Sequence, residues 1–307
     1  MKVVTIHSYP HFHTMISAHN YKNFTDVANS AEMKYVENTI ANLGKKHFEL
    51  LNKKTNRPFL VELHPMPLRY VNASDKEKAG KFEPTELSKH KWNFRFKEGI
   101  PECLSNLSDA VKEKIVDGQK ESISVLQDLD KFVIRTMYDN DTVLKKQKAK
   151  NKKMLAKHGA EGDDLDRMAW EMFLEQAQTG LAANDDSETF DIKMKASSYY
   201  RSKDGTGLEL RYPRIMRNDG VQSVIDLANP DNEIFPGALV TPLARVKPYV
   251  TPNGAYGTTY QFYSGVMIKN GTKYDSGTTF TSYSFGTEDE QGYEQSEGEP
   301  SPKRRKA

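Results

Sequence analysis

Basic residues and tyrosines recur together in several short segments in the second half of the chain, and in three of these segments they fall on the same side of a predicted strand. These groups are Lys193, Lys195 and Tyr199; Arg211, Tyr212 and Arg214; Arg245, Lys247 and Tyr249; and Tyr263 with Lys269. Tyrosine rings stack on unpaired bases at roughly 1–3 kcal/mol per base, while cations follow the phosphates. For any one residue a solvated sheet face is the simpler interpretation, because tyrosine and lysine are common there. The repetition over several segments favours a surface for single-stranded nucleic acid, since duplex bases offer no free faces.

The elements that would position these residues are short antiparallel strands. From Phe190 onward the hydrophobic period is two, and the turn at 203–207 predicts a hairpin that ends near Tyr212. Two further strands are predicted over 239–250 and 258–269. In the last strand Val266 and Ile268 would point inward and Tyr263, Met267 and Lys269 outward, with a bulge at Gly265. Such strands favour a small barrel over a parallel sheet.

Earlier segments add one strand and several helices. Trp92, Phe94 and Phe96 alternate with polar residues and predict a half-buried strand. Three apolar stripes at helical spacing lie within a predicted insertion of about 104–182. Near the N-terminus, Met33, Val36, Ile40 and Leu43 also follow helical spacing, so we expect a helix within residues 1–50. The predicted fold class is therefore α+β, mainly β with an α insertion.

Charge is segregated into blocks, although the formal net charge is only +2. Residues 145–157 contain seven lysines and no acid, and a solvated segment is an equally good interpretation of this lysine block. Residues 287–300 contain six acids and no base, and the chain ends in a basic cluster from Pro302 to Ala307. The segment after Gly286 has almost no aliphatic residues, so a disordered tail is expected. Its basic end is typical of a nuclear-import signal or of a plain solubilising terminus.

The motifs of common enzyme classes are missing. The sequence contains no GxxxxGK[ST], HExxH or GxSxG, so we predict no enzyme and no cofactor, with a nucleotidyltransferase as a third-ranked alternative. Four histidines near the N-terminus lack acidic or cysteine neighbours, and no metal is predicted: His7, His11, His13 and His19. Cys103 is the single cysteine, which suits a reducing, intracellular compartment. No apolar run is long enough to span a bilayer, so no membrane partner is expected.

One stretch carries a family resemblance. The segments 234–240, 244–249, 254–258 and 262–271 give a Pro-Gly strand start, a basic-aromatic strand, a glycine turn and a strand with Gly-Val before an Asn-Gly turn. This order resembles the replicative single-stranded DNA-binding proteins of podoviral phages and their relatives in large nucleo-cytoplasmic DNA viruses. The resemblance is detailed over 208–271. A helical insertion between barrel strands and an acidic C-terminal tail are similar too.

The resemblance implies an OB-fold-like antiparallel β-barrel plus helices. It divides the chain into an N-terminal extension (1–50), a single-stranded DNA-binding domain (51–286) and a disordered acidic tail (287–307). The implied function is sequence-independent binding of single-stranded DNA in viral DNA replication, recombination and repair, in the host nucleus or at a viral replication site. The tail would recruit a polymerase or helicase. Whether the protein forms a homo-oligomer is left open at this point. The alternative is a virion structural or DNA-packaging protein that binds duplex DNA through the lysine block.

Overall fold

A computed structural model describes residues 15–17, 29–37, 46–73, 91–140, 144–184, 189–197, 199–201, 208–210, 213–217, 222–224, 234–251 and 254–271. All of them belong to one compact unit, Met1–Thr272, and the remaining unit, Lys273–Ala307, lies outside the described residues. The strands are β1 (Met15–Ser17), β2 (Ala31–Glu37), β3 (Lys46–Asn52), β4 (Leu60–Glu62), β5 (Met66–Ala73), β6 (Lys91–Lys97), β7 (Leu181–Ala183), β8 (Phe190–Ser197), β9 (Tyr199–Arg201), β10 (Leu208–Leu210), β11 (Arg214–Arg217), β12 (Gln222–Val224), β13 (Ala238–Val250) and β14 (Tyr256–Lys269). The helices are α1 (Asp109–Asn140), α2 (Lys145–Lys157) and α3 (Gly162–Glu175), after a 3₁₀ turn at Glu102–Leu104.

Five of the strands close into a barrel. Their order is β5–β6–β8–β14–β13, and β13 pairs back with β5 through Ala238 to Val240. Every pairing in this ring is antiparallel except that between β8 and β14, which is parallel. This is the strand order and polarity of an OB-fold-like barrel, so the predicted α+β fold class is confirmed. The hairpin expected around residues 203–207 is present as β9 paired with β10.

Every second residue along the barrel strands points inward, and these side chains fill the barrel. Trp92, Phe94 and Phe96 on β6 are all buried, as their spacing predicts. The Phe94 ring stacks on Phe262 of β14 with 4.1 Å between centroids, which joins opposite walls of the core. Stacked aromatic pairs contribute about 0.5–1.5 kcal/mol beyond the area they bury, so this contact fixes the barrel as well as filling it.

The helical insertion lies between β6 and β8. The first two predicted stripes belong largely to one long helix, α1, which buries Leu126, Leu129 and Val133. The third stripe forms α3, where Phe173 is buried while Met168 is 37% exposed. The lysine block forms the helix α2, and most of its lysines are exposed to solvent.

Two sequence predictions are wrong. The helix expected around Met33 is instead a strand, because β2 pairs with β3 over its whole length, with Met33 opposite Leu50. Ala31, Met33 and Tyr35 also alternate with Glu32 and Lys34, a period of two, and the buried partner residues Phe48 and Leu50 favour this strand pattern. Ile40 and Leu43 lie outside the described residues. Met267 is buried although an outward position was expected, because the β13–β14 pairing shifts register after Leu239 and again after Leu243.

Candidate nucleic-acid interface

Outward side chains of three neighbouring barrel strands are aligned in a row. Arg245 on β13 lies opposite Gln261 on β14, and Gln261 lies opposite Lys195 on β8. Because paired strands are about 4.8 Å apart, the row from Arg245 to Lys195 spans roughly 10 Å. Lys193 and Lys247 follow at the next outward positions of their strands, and both are exposed. The structure therefore brings together basic residues from two separate groups of the sequence.

Tyr263 is the most prominent aromatic residue on this side of the barrel. Leu243 pairs with Ser264 and Ala244 with Phe262, so Tyr263 is the extra residue of a β-bulge, and it is 52% exposed. A bulge re-aims a side chain and locally increases the twist of the strand. The sequence prediction placed a bulge in this strand at Gly265, two residues away.

A cation lies on each side of Tyr263. The edge of β14 away from β13 pairs with β8 at Gln261 and with β11 from Ser264 onward, so Tyr263 lies at the change of partner strand. Lys195 on β8 pairs with Gln261, and Arg214 on β11 pairs with Ser264; both are exposed. We name the surface built by these outward residues the β8–β14 face: Lys193, Lys195, Arg214, Arg245, Lys247, Tyr249 and Tyr263.

Two of the predicted residues on this face already have protein partners. Arg245 forms an ion pair with Glu49 of β3, with 3.1 Å between Nη2 and Oε1, and both side chains are half-buried. The Tyr249 hydroxyl donates a hydrogen bond of 2.9 Å to Oε1 of Gln178. Burial raises the pKa of Tyr249, so the hydroxyl stays protonated and keeps donating. Arg245 and Tyr249 thus border the face, whereas Tyr263 projects from its centre.

The structure adds two arginines that the sequence analysis did not select. Arg95 on β6 lies opposite Lys193 and donates from Nε to the buried Asp191 carboxylate at 2.5 Å. Arg69 on β5 approaches the same carboxylate at 3.5 Å. Burial lowers the pKa of Arg95, but the charge and hydrogen bond of Asp191, together with Tyr70, outweigh burial, so the net change is upward. Alternation around Arg95 indicated its outward position, yet no sequence signal indicated the carboxylate beneath it.

Other predicted residues are not brought to this face. Lys269 lies six residues from Tyr263, roughly 20 Å along an extended strand, and its ammonium group donates to the carbonyl oxygen of Cys103. Tyr199 lies in β9, but its side chain is outside the described residues. Arg211 and Tyr212 are wholly outside them, as are the four N-terminal histidines and the segment 287–307.

The inner side of β14 is held by the helical insertion. Asp130 of α1 is buried and accepts hydrogen bonds from the hydroxyl groups of Thr258, at 2.5 Å, and Tyr260. Burial raises the pKa of Asp130 to about 7, although both hydrogen bonds act in the opposite direction. Burial and the adjacent Asp130 also raise the pKa of Tyr260, which therefore stays protonated. This cluster fixes β14 three residues before Tyr263.

The chain that leaves α3 is also attached to β14. The Tyr256 hydroxyl donates to the carbonyl oxygen of Phe173 at 2.6 Å, and the amide of Gln178 donates to the carbonyl of Tyr256 at 3.0 Å. The approach requires glycine at position 257, because a Cβ there would lie 1.8 Å from the carbonyl oxygen of Gln178. The φ angle of Gly257, 151°, is also one that other residues rarely adopt.

The described residues also bear on metal and membrane binding. Within these ranges, no cluster of three or more His, Cys, Asp or Glu side chains has an arrangement that would hold a metal ion. Of the helices described, none combines the length and apolar character needed to cross a membrane.

Comparisons with known proteins give distant structural similarities. No family model and no curated protein matches the sequence. The gp2.5 single-stranded DNA-binding protein of bacteriophage T7 has 12% identity and a TM-score of 0.37 over 71% of this chain and 96% of its own. The single-stranded DNA-binding protein of bacteriophage Enc34 in complex with single-stranded DNA has 13% identity and a TM-score of 0.33, over 78% of this chain and 96% of its own. A second structure of the Enc34 protein has 11% identity and a TM-score of 0.35, over 83% of this chain and 99% of its own. These TM-scores lie below 0.5, so the function proposed next depends on this chain's own residues.

Proposed function

We propose that this protein binds single-stranded DNA without sequence preference, and without catalysing a reaction, through the β8–β14 face. The observation that carries the proposal is the exposed ring of Tyr263, which lies on a bulge between Lys195 and Arg214. Every base has a π-face that can stack on a tyrosine ring, so stacking selects unpaired bases rather than a sequence. Lys195 and Arg214 pair with positions three residues apart on β14, roughly 10 Å, and would contact phosphates on either side of the stacked base.

Two energetic terms distinguish this mode from general polyanion binding. One stacked base contributes about 1–3 kcal/mol and depends little on salt. Each phosphate neutralised on a single strand adds about 0.7 to the slope of log affinity against log salt concentration. A surface that uses both terms prefers single strands to duplex, because the duplex keeps its bases stacked on each other.

The stacking term is tested by Tyr263→Ala and Tyr263→Phe. We expect Tyr263→Ala to weaken binding of a fluorescein-labelled oligo(dT) by roughly 5- to 150-fold, which is the stacking energy of about 1–3 kcal/mol. Tyr263→Phe keeps the ring and should keep most of the affinity. Met168→Ala, which removes another exposed apolar side chain, is the matched control. If folded Tyr263→Ala binds oligo(dT) like the original protein, the proposed site is wrong.

The phosphate term is tested by the double variant Lys195→Ala, Arg214→Ala. It should lower the salt slope for oligo(dT) by about 1.4, the sum for two phosphates. Lys114→Ala with Lys120→Ala removes two exposed cations from α1 and serves as the matched control. An equal change of slope in both double variants would mean that net charge, and not the β8–β14 face, determines binding.

The wider role that we propose is viral DNA replication, recombination and repair, at a viral replication site or in the host nucleus. The sequence resemblance and the segregated acidic segment 287–300 support it. This segment would contact a polymerase or helicase encoded by the same genome. A chain truncated after Gly286 should lose binding to the purified polymerase or helicase and retain oligo(dT) binding. Retention of both would remove the tail from the proposal.

A further inference from the structure

Helix α2 presents a straight row of cations to solvent. Lys146, Lys150, Lys153 and Lys157 are all exposed and are spaced by four, three and four residues. At 100° per residue they fall within an arc of roughly 60°, and at 1.5 Å per residue they extend over about 16 Å. We name these four residues the lysine stripe. Within the sequence of α2 no acid interrupts it.

The opposite side of α2 fixes the rotation of the helix about its axis. Asn151 is buried, and its side-chain amide donates to Oε1 of Gln176 at 3.2 Å. Lys148 lies 3.8 Å from the centroid of the Tyr138 ring and donates to the Tyr138 carbonyl at 2.6 Å. Lys152 forms an ion pair with Asp166 of α3. These lysines serve the fold, so the lysine stripe is a distinct set whose outward direction is determined by packing.

Concentration of lysine on one side of a helix is unfavourable for the helix alone. Like charges four residues apart, as at Lys146 and Lys150, destabilise a helix by about 0.2–0.5 kcal/mol per pair. The exposed lysines of α1 differ, because acids such as Glu113, Asp117 and Glu121 are interspersed among them. Interspersed acids and lysines, as on α1, are enough to keep a helix surface solvated. The unmixed pattern of α2 indicates a polyanionic ligand.

We propose that the lysine stripe binds the phosphate backbone of duplex DNA, at a site separate from the β8–β14 face. The stripe has no aromatic side chain; the other exposed residues of α2 near it include Ala149 and Met154. It therefore lacks the means to stack an unpaired base and can recognise charge density alone. A duplex carries one charge per about 1.7 Å of axis with both strands counted, so the 16 Å of duplex beside the stripe carries about nine phosphate charges in all. Bound at both surfaces, the protein would hold a junction between single- and double-stranded DNA.

The test compares two quadruple variants with the same change of net charge. The stripe variant carries Lys→Gln at positions 146, 150, 153 and 157, since glutamine keeps helix propensity and side-chain length. The control variant carries Lys→Gln at four other exposed positions: Lys54, Lys114, Lys120 and Lys131. The probes are a fluorescein-labelled 20-base-pair duplex and labelled oligo(dT), each titrated between low and physiological salt.

We expect the stripe variant to lose roughly tenfold or more in duplex affinity at low salt, and about 3.6 in duplex salt slope, which corresponds to four phosphates. Its affinity for oligo(dT) should stay within about twofold, since its β8–β14 face is intact. Equal losses in both quadruple variants, or absence of duplex binding by the original protein, would overturn the proposal. Tyr263→Ala should lower oligo(dT) affinity alone, so failure of either proposal leaves the other testable.

Discussion

The buried carboxyl group of Asp130 makes the stability of the fold depend on pH. Its two oxygens accept hydrogen bonds from Thr258 and Tyr260, and among the described side chains no cation pairs with it. Burial disfavours the charged form and raises the pKa to about 7 from the usual 3.8. Asp130 connects α1 to β14, so the perturbation Asp130→Asn probes the junction between the helical insertion and the barrel.

The direction of this pH dependence follows from the number of protons bound by the folded and the unfolded state. Between pH 3.8 and about 7 the unfolded chain has lost the Asp130 proton while the folded protein keeps it. The folded state therefore binds more protons, and the free energy of unfolding falls as pH rises through this window. Since one pKa unit corresponds to 1.36 kcal/mol, the total loss attributable to Asp130 is about 4 kcal/mol by pH 8.

Asparagine has no proton to lose, so Asp130→Asn should remove this loss. Its amide oxygen can accept from Thr258 while its NH₂ donates to the Tyr260 oxygen. Urea unfolding, followed by tryptophan fluorescence, should give free energies for variant and original protein that differ by about 1 kcal/mol at pH 4.5, where the loss has only begun. At pH 8 the variant should be more stable by an amount that approaches 4 kcal/mol. The exposed Asp117→Asn on the same helix controls for net charge. A stability difference that is the same at both pH values would refute the reasoning.

Further predictions concern the docking of the helices, the face and the tail. Gly257→Ala should lower the free energy of unfolding by about 2–4 kcal/mol in urea titrations, because the Cβ collides with the chain after α3 and φ becomes strained. Glu49→Gln should raise oligo(dT) affinity measured by anisotropy, because it releases Arg245 from its ion pair; an unchanged affinity would exclude Arg245 from binding. Truncation after Gly286 should give tighter oligo(dT) binding at low salt than truncation after Pro302, because the acidic segment competes for the cations. Equal binding by both truncated chains would contradict competition.

Strands that alternate strictly can be predicted from the sequence. On β6 and β8 each apolar residue expected to point inward is buried or packed against the core, because the period of two directly records which side meets the core. The outward positions of Lys193, Lys195, Arg245 and Lys247 follow from the same pattern. The α+β fold class and the outward orientation of these basic residues therefore follow from local sequence pattern alone.

Pairing partners and bulges do not follow from local pattern. The bulge at Tyr263 depends on how β13 and β14 align, and a shift of one residue reverses the parity of everything beyond it, as at Met267. The strand at Ala31–Glu37 depends on β3 in the same manner. Likewise, Glu49 and Arg245 meet across nearly two hundred residues of chain. Local patterns give the side of an element on which a residue lies, whereas these features depend on the neighbour it meets.

The two proposed surfaces are fixed by one short segment that follows α3. Gln176 accepts hydrogen bonds from Gln147 and Asn151 of α2, and so sets the rotation that exposes the lysine stripe. Two residues later, Gln178 bonds to the β14 backbone on both sides of Gly257 and accepts from Tyr249 on the border of the β8–β14 face. Because this segment pairs with β14 through backbone hydrogen bonds rather than through a flexible linker, the two surfaces have a fixed separation. A fixed separation lets a protein distinguish a junction from either DNA form alone, since both contacts are made only when duplex and single strand are adjacent.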